Sequence, residues 1–195
     1  MQLCAITDSK RANQSLLSLV EGWSRGGVDF IQLREKELDA LALRSLAADL
    51  VEKIDHSRTR LLVNVSTPGA AALALEAGAD GVHLAGKPTP GAASRVRQAF
   101  RHVVPIISVP CHSLEDVDVA YEEGVSLMLF SPVFEKLSAK PQGLEGLRLA
   151  CARARGIPVL ALGGVTTGNA SDCVAAGAAG VAGIRLFAGD EWRLL

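Results

Sequence analysis

Aromatic side chains are scarce in this sequence, at 4%, although hydrophobic residues of all kinds make up 49%. Ala, Val and Leu must therefore do most of the packing, a balance that suits close helix-on-strand contact better than an aromatic-rich sandwich. Charge of one sign is missing too: the formal net charge is −1 and no basic run occurs, so nucleic acid is not an expected partner. No apolar segment approaches the roughly 20 residues needed to span a bilayer, so no membrane partner is expected either. The opening Met1-Gln2-Leu3-Cys4-Ala5-Ile6-Thr7-Asp8 has neither a charged leader nor a long apolar stretch, which argues against a signal peptide and for a cytoplasmic protein. Cys4, Cys111, Cys151 and Cys173 lie far apart with no C-x-x-C pair, the pattern of free thiols in a reducing compartment and not of a disulfide frame or a zinc site.

What the chain does have is a rhythm. Short β-branched runs alternate with Ala- and Leu-rich amphipathic stretches from one end to the other. Strands are predicted near Leu3–Thr7, Asp29–Arg34, Leu61–Val65, Gly81–Leu84, Val104–Val109, Ser126–Phe130, Val159–Leu162 and Gly180–Ile184. Helices are predicted near Asn13–Ser24, Ala40–Ile54, Pro68–Glu76, Pro90–Phe100, Leu114–Glu123, Leu144–Arg153 and Gly168–Ala176. Eight strands with helical crossovers favour one domain over residues 1–195, an α/β (β/α)8 TIM barrel. An open doubly wound sheet is the alternative, weakened because no G-x-G-x-x-G follows the first strand. Ala77-Gly78-Ala79-Asp80-Gly81-Val82 is echoed by Ala176-Gly177-Ala178-Ala179-Gly180-Val181, each placing a helix-ending Gly just before a strand. Phe187 to Leu195 is too short for a full closing helix. A truncated final helix would leave one side thinly covered, and a homo-oligomer in which a second subunit covers that side is expected.

Chemistry concentrates where a barrel of this type would place it, at the C-terminal strand ends and the loops after them. In Val28-Asp29-Phe30-Ile31-Gln32-Leu33-Arg34-Glu35-Lys36, alternate residues of an extended segment share a face, so Gln32, Arg34 and Lys36 line up. A guanidinium fork beside an ammonium suits phosphate or diphosphate; the plainer alternative is a solvated strand end with Glu35 pairing locally. Asn64 ends the third strand and Lys140 lies in the loop after the sixth. Gly163 and Gly164 follow the seventh, where paired glycines let backbone N–H groups approach an anion and the next helix would add its dipole. Gly183 and Arg185 end the eighth and complete a phosphate cup. His112 precedes Ser113-Leu114-Glu115-Asp116, a capping box, and is the candidate general acid–base because imidazole titrates near neutral pH; an exposed loop imidazole is the alternative. His83 is read as a packing residue at the barrel interior, and His56 and His102 as loop residues without a functional role.

In this order, these residues resemble the thiamine phosphate synthase and TenI family. The resemblance runs through Ala5-Ile6-Thr7-Asp8, Gln32-Leu33-Arg34-Glu35-Lys36, Asn64, Ala79-Asp80-Gly81-Val82-His83-Leu84 and His112-Ser113-Leu114-Glu115. It continues through Ser131-Pro132-Val133-Phe134, Lys140 and Ala161-Leu162-Gly163-Gly164-Val165. It implies a (β/α)8 barrel and a small phosphorylated thiazole or thiamine-related ligand. Synthase members join a pyrimidine diphosphate to a thiazole phosphate with magnesium present. The resemblance would then place Gln32, Arg34, Lys36, Asn64 and Lys140 on the diphosphate side and Gly163, Gly164 and the end of strand eight on the thiazole phosphate.

The departures are as informative. Synthases that resemble this chain carry an Asp where Val65 stands and another after the fourth strand, where Ala85-Gly86-Lys87-Pro88-Thr89-Pro90 has no carboxylate. Magnesium wants oxygen ligands, usually one or two carboxylates with substrate phosphates. Pro110 replaces a Ser expected near His112, and Arg185 a small polar residue near the last strand end. The resemblance therefore implies a TenI-like thiazole tautomerase, moving protons on a carboxythiazole phosphate through His112, with no cofactor and no metal ligands. The alternatives are a divergent thiamine phosphate synthase using Mg2+, with Lys87 and Arg185 offsetting diphosphate charge, and a catalytically silent binder of a thiamine-related phosphate.

Overall fold

The computed structural model describes residues 1–100, 104–134 and 140–195; His102 lies outside the described residues. The strands are β1 (Gln2–Ile6), β2 (Phe30–Leu33), β3 (Arg60–Val65), β4 (Gly81–Leu84), β5 (Ile106–Cys111), β6 (Leu127–Phe130), β7 (Val159–Ala161) and β8 (Gly180–Gly183). The helices are α1 (Leu16–Arg25), α2 (Ala40–Val51), α3 (Pro68–Glu76), α4 (Ala92–Ala99), α5 (Leu114–Glu122), α6 (Gly143–Arg153) and α7 (Ala170–Ala175). Each strand pairs in parallel with its neighbours in sequence, and β8 closes on β1 through Gln2↔Gly180 and Ala5↔Gly183. The sheet is therefore a closed (β/α)8 barrel, not an open doubly wound sheet.

Helix starts differ from the sequence expectation where a side chain decides them. Ser15 caps α1 by accepting a bond from Ser18 N, so the helix begins at Leu16 and not Asn13. The preceding Ser9–Arg11 turns instead as a short 3-10 segment. Asp39 caps α2 and Thr67 caps α3 in the same way. The echoed helix-to-strand turns work as their sequences suggest: Gly78, Gly124 and Gly177 take φ of 92°, 60° and 104°, a region a side chain would strain.

Alternation along the strands divides the core in two. Cys4, Ile6, Leu62, Leu127, Leu129 and Leu160 fill the barrel interior, while Ala5, Ile31, Leu33, Val63 and Val82 join the helices in the larger outer layer. At the N-terminal end, Asp80 accepts from Leu61 N at 2.8 Å and meets Arg60 and His56 at 3.1 Å each, which makes His56 a structural residue.

After β8 the chain forms 3-10 turns at Arg185–Phe187 and Glu191–Leu194, which is the truncated final element. The scarce aromatics are spent here. Phe187 stacks on Trp23 of α1 (centroids 6.2 Å) and on Trp192 (5.6 Å), and Trp23 Nε1 donates to Phe187 O at 3.2 Å. Trp192 is only 2% exposed. These rings cover part of the flank that a full closing helix would have covered.

Candidate functional site

The polar residues inside the barrel gather at its C-terminal mouth. Gln32 and His83 are buried near the ends of β2 and β4 and Ser108 in the middle of β5, with His83 paired to Asn64 on one side and to Ser108 on the other in the register. His83 Nδ1 bonds Ser108 Oγ at 2.9 Å. Burial, then the nearby Arg34 guanidinium and His112 imidazole, hold the His83 pKa down at about 3, so its ring stays neutral. Arg34 follows the end of β2 and His112 the end of β5, so segments 78 residues apart in sequence reach the same end of the barrel.

The loop after β2 is fixed by the loop after β1. Thr7 Oγ1 donates to Glu35 Oε1 at 2.6 Å and accepts from Arg34 N at 2.9 Å, while Ser9 N donates to both Glu35 oxygens at 3.1 and 3.2 Å. Glu35 is therefore a strut that aims Arg34, and its pairing is not local. Asp8 is held by Arg11 at 3.1 Å. Strand β2 ends at Leu33, so the alternation that carried the face from Gln32 to Lys36 stops short, and Lys36 is exposed beyond it. Lys140 is also exposed, and neither lysine is drawn into the mouth by a hydrogen bond among the described residues.

His112 sits at the rim just past β5 and is held from three sides. Its backbone N donates to Asp116 Oδ2 at 2.8 Å, and Ser113 Oγ caps α5 by accepting from Asp116 N at 3.2 Å, so the capping box forms with Asp in the reciprocal role. Its carbonyl accepts from Gln142 Nε2 at 2.8 Å. Its ring Nδ1 lies 2.9 Å from Ser131 O and 3.2 Å from Ser131 Oγ. A carbonyl can only accept, so the neutral ring carries its proton on Nδ1 and presents Nε2 as the basic nitrogen. Ser131 and Gln142 are partners that sequence reasoning missed; their signal was only the turn chemistry after β6. The neighbouring Cys111 is buried and its thiol is pushed up to about 12, first by burial, so it stays protonated.

The residues expected to form a phosphate cup meet between the β7 and β8 loops, around a cavity of about 300 Å³ lined by Gly164, Val165, Thr166, Thr167, Arg185, Leu186 and the carboxylate-bearing Glu191. Gly163 and Gly164 take φ of 92° and 69°, the conformation that turns successive amides to one side. The expected contribution of the next helix is small. Asn169 Oδ1 already accepts from Thr166 N at 2.8 Å and its Nδ2 donates to Gly164 O at 3.1 Å, and α7 is only six residues long. Arg185, not a helix dipole, supplies the positive charge. Gly183 is buried beneath it, where a side chain would press on Leu186. Threonines 166 and 167 and Glu191 are cup residues that the double glycine alone did not reveal.

Comparison with known proteins agrees with this geometry. The family model described as thiamine monophosphate synthase matches residues 3–187. The chain belongs to the thiamine monophosphate synthase and TenI family. A putative thiamine-phosphate synthase of Geobacter sulfurreducens is 38% identical over 193 residues, covering 96% of this chain and 87% of that one. A thiamine-phosphate synthase of Chlorobium luteolum is 36% identical over 184 residues, covering 92% and 82%. Among solved structures, a thiamine phosphate pyrophosphorylase from Pyrococcus furiosus superposes with a TM-score of 0.81 at 25% identity, covering 99% of this chain and 90% of that one.

Within that family fold, the positions that would carry magnesium ligands do not fit the ion. Val65 is buried outward, paired with Leu84 in the layer under the helices, and the loop after β4 has no carboxylate. Glu35 and Asp8, the nearest substitutes, are already engaged as described. Among the described residues, no three His, Cys, Asp or Glu side chains are grouped to hold a metal. What the rim does hold is a cavity lined by a glycine turn, Arg185 and Glu191, together with buried polar groups and one oriented imidazole.

Proposed function

We propose that this protein is a TenI-like thiazole tautomerase that shifts protons on a carboxythiazole phosphate. The observation that carries the reading is the 2.9 Å contact of His112 Nδ1 with Ser131 O: a carbonyl only accepts, so an Nδ1–H there makes Nε2 the nitrogen that would take a proton. The Gly163–Thr167 turn and Arg185 would hold the substrate phosphate, with Gln32, Arg34 and Asn64 meeting the polar edge of the heterocycle. A tautomerisation moves a proton from one carbon to another with no change in composition, so one imidazole that accepts and returns it suffices. Lys36 and Lys140 are proposed to reach the ligand only from the outer rim.

A second reading, a divergent thiamine phosphate synthase, is favoured by the names of the relatives, which are synthases. One experiment separates the readings. Wild type and His112→Ala are supplied either with the non-aromatic carboxythiazole phosphate, or with pyrimidine diphosphate, thiazole phosphate and magnesium. Tautomerisation by wild type, reduced about 10²–10⁴-fold in His112→Ala, is the expected result. Unchanged tautomerisation in the variant removes the role given to His112. Robust thiamine phosphate formation reverses the order of the readings, and ligand binding by calorimetry with no turnover on either set leaves a silent binding protein.

A further inference from the structure

A second cavity, of about 120 Å³, lies on the outer wall of the barrel. Its floor is Val65, Leu84 and Val109, the outward neighbours of Asn64, His83 and Pro110, so it is separated from the rim by the thickness of the sheet. Its roof is α4, through Ala93 and Val96. The void has a local cause. Helix α4 is eight residues long and starts at Gly91, which is left-handed (φ 79°) and has no side chain to cap it. Glu123, at the end of α5, provides the cap from outside, accepting from Gly91 N at 2.5 Å and Ala93 N at 3.1 Å, while Arg97 donates back to Glu123 O at 3.0 Å. These bonds set where α4 rests, and an alanine at the contact is too short to fill the space beneath.

The mouth differs in chemistry from the floor. Lys87 and Arg95 share the lining with Thr67 and Thr89, and the carboxylate that also lines it, Glu123, is occupied by backbone amides. A dry apolar cavity of about 150 Å³ is enough to take up benzene, and cations at its opening select an acid over a hydrocarbon. We propose that this cavity binds a small apolar monocarboxylate, with a body of about six to eight carbons against Val65, Leu84, Val96 and Val109 and its carboxylate at Lys87 and Arg95. The site is independent of the tautomerase reading, because none of its lining residues has a role in that reading; Lys87 enters only the synthase alternative.

The test is a methyl NMR titration of the full chain with benzoate, benzyl alcohol or inorganic phosphate, repeated on Ala93→Leu and Lys87→Ala. Saturable benzoate shifts at Val65, Leu84 and Val96 are expected. They should weaken about tenfold or more in Ala93→Leu, which fills the cavity, and several-fold in Lys87→Ala. Benzyl alcohol should bind more weakly than benzoate, and phosphate should leave these methyls unmoved. If Ala93→Leu does not fold, Lys87→Ala and benzyl alcohol decide the matter. Benzoate shifts confined to Val165 and Leu186 at the rim, equal binding of benzoate and benzyl alcohol, or phosphate shifts at the cavity methyls would each overturn the assignment.

Discussion

Replacing Gly163 with Ala sets a backbone requirement and a packing requirement against each other at the phosphate cup. Gly163 has φ 92°, and a Cβ there would stand 2.8 Å from both Cα and Cβ of Pro132. The left-handed conformation costs a non-glycine residue about 1–2 kcal/mol, and overpacking against a fixed ring costs about 1–3 kcal/mol more. The sum, roughly 2–5 kcal/mol, lowers Tm by about 4–20 °C in a chain of this size. Two controls separate the terms. Gly156 has φ 96° and nothing within 4 Å of where a Cβ would stand, so Gly156→Ala should cost the backbone term alone, about 1–2 kcal/mol. Gly69 lies in α3 with open space around it and no positive φ, so Gly69→Ala should be neutral or stabilise by up to about 1 kcal/mol. Urea unfolding gives the stabilities and calorimetric titration with phosphate gives the cup's occupancy. A Gly163→Ala variant no less stable than Gly156→Ala, binding phosphate as well as wild type, refutes the packed turn and the cup built on it.

Three other outcomes test the rim and its supports. With His83 held at about 3 when folded, below the ordinary 6.5, the unfolded chain takes up a proton that the folded chain refuses between those values. Stability should therefore be complete above about pH 6.5 and fall on acidification by up to about 1.4 kcal/mol per pH unit, less steeply in His83→Gln; parallel urea midpoints for the two proteins from pH 7 to pH 4 would contradict this. Glu35→Gln should lower stability by about 1–2 kcal/mol, and the loss should shrink in a Thr7→Val background because the two share one bond; a fully additive cycle removes the strut. Cys4 and Cys111 sit at about 12 and Cys151 and Cys173 at about 11, all raised chiefly by burial, so iodoacetamide at pH 8 should label the native chain very slowly and all four after denaturation. Rapid native labelling of Cys111, read by mass spectrometry, would contradict its burial and make it a reactive neighbour of His112.

The barrel was legible because its signals are local. Alternation, helix periodicity and the glycines at 78 and 177 each act within a few residues, and closure follows once eight such units repeat. The placement of Gln32, Arg34, Asn64 and His112 at or just past the C-terminal ends of their strands was legible for the same reason. The strand alternation did not extend to Lys36, because the chain leaves the sheet at Leu33. Asp116 belongs to the box read beside His112, but Ser131 and Gln142 come from other segments, and their roles depend on a register that pattern alone does not give. The helix that sequence placed behind the phosphate shows the opposite case: it is only six residues long, which sequence periodicity did not reveal.

Both tryptophans of the chain, Trp23 and Trp192, lean on Phe187, and the segment between Arg185 and Trp192 supplies Arg185, Leu186 and Glu191 to the cup wall. Every indole in the molecule is therefore mechanically attached to the place where an anion would arrive. Intrinsic fluorescence becomes a label-free gauge of that arrival, with no competing emission from tryptophan elsewhere to dilute the signal.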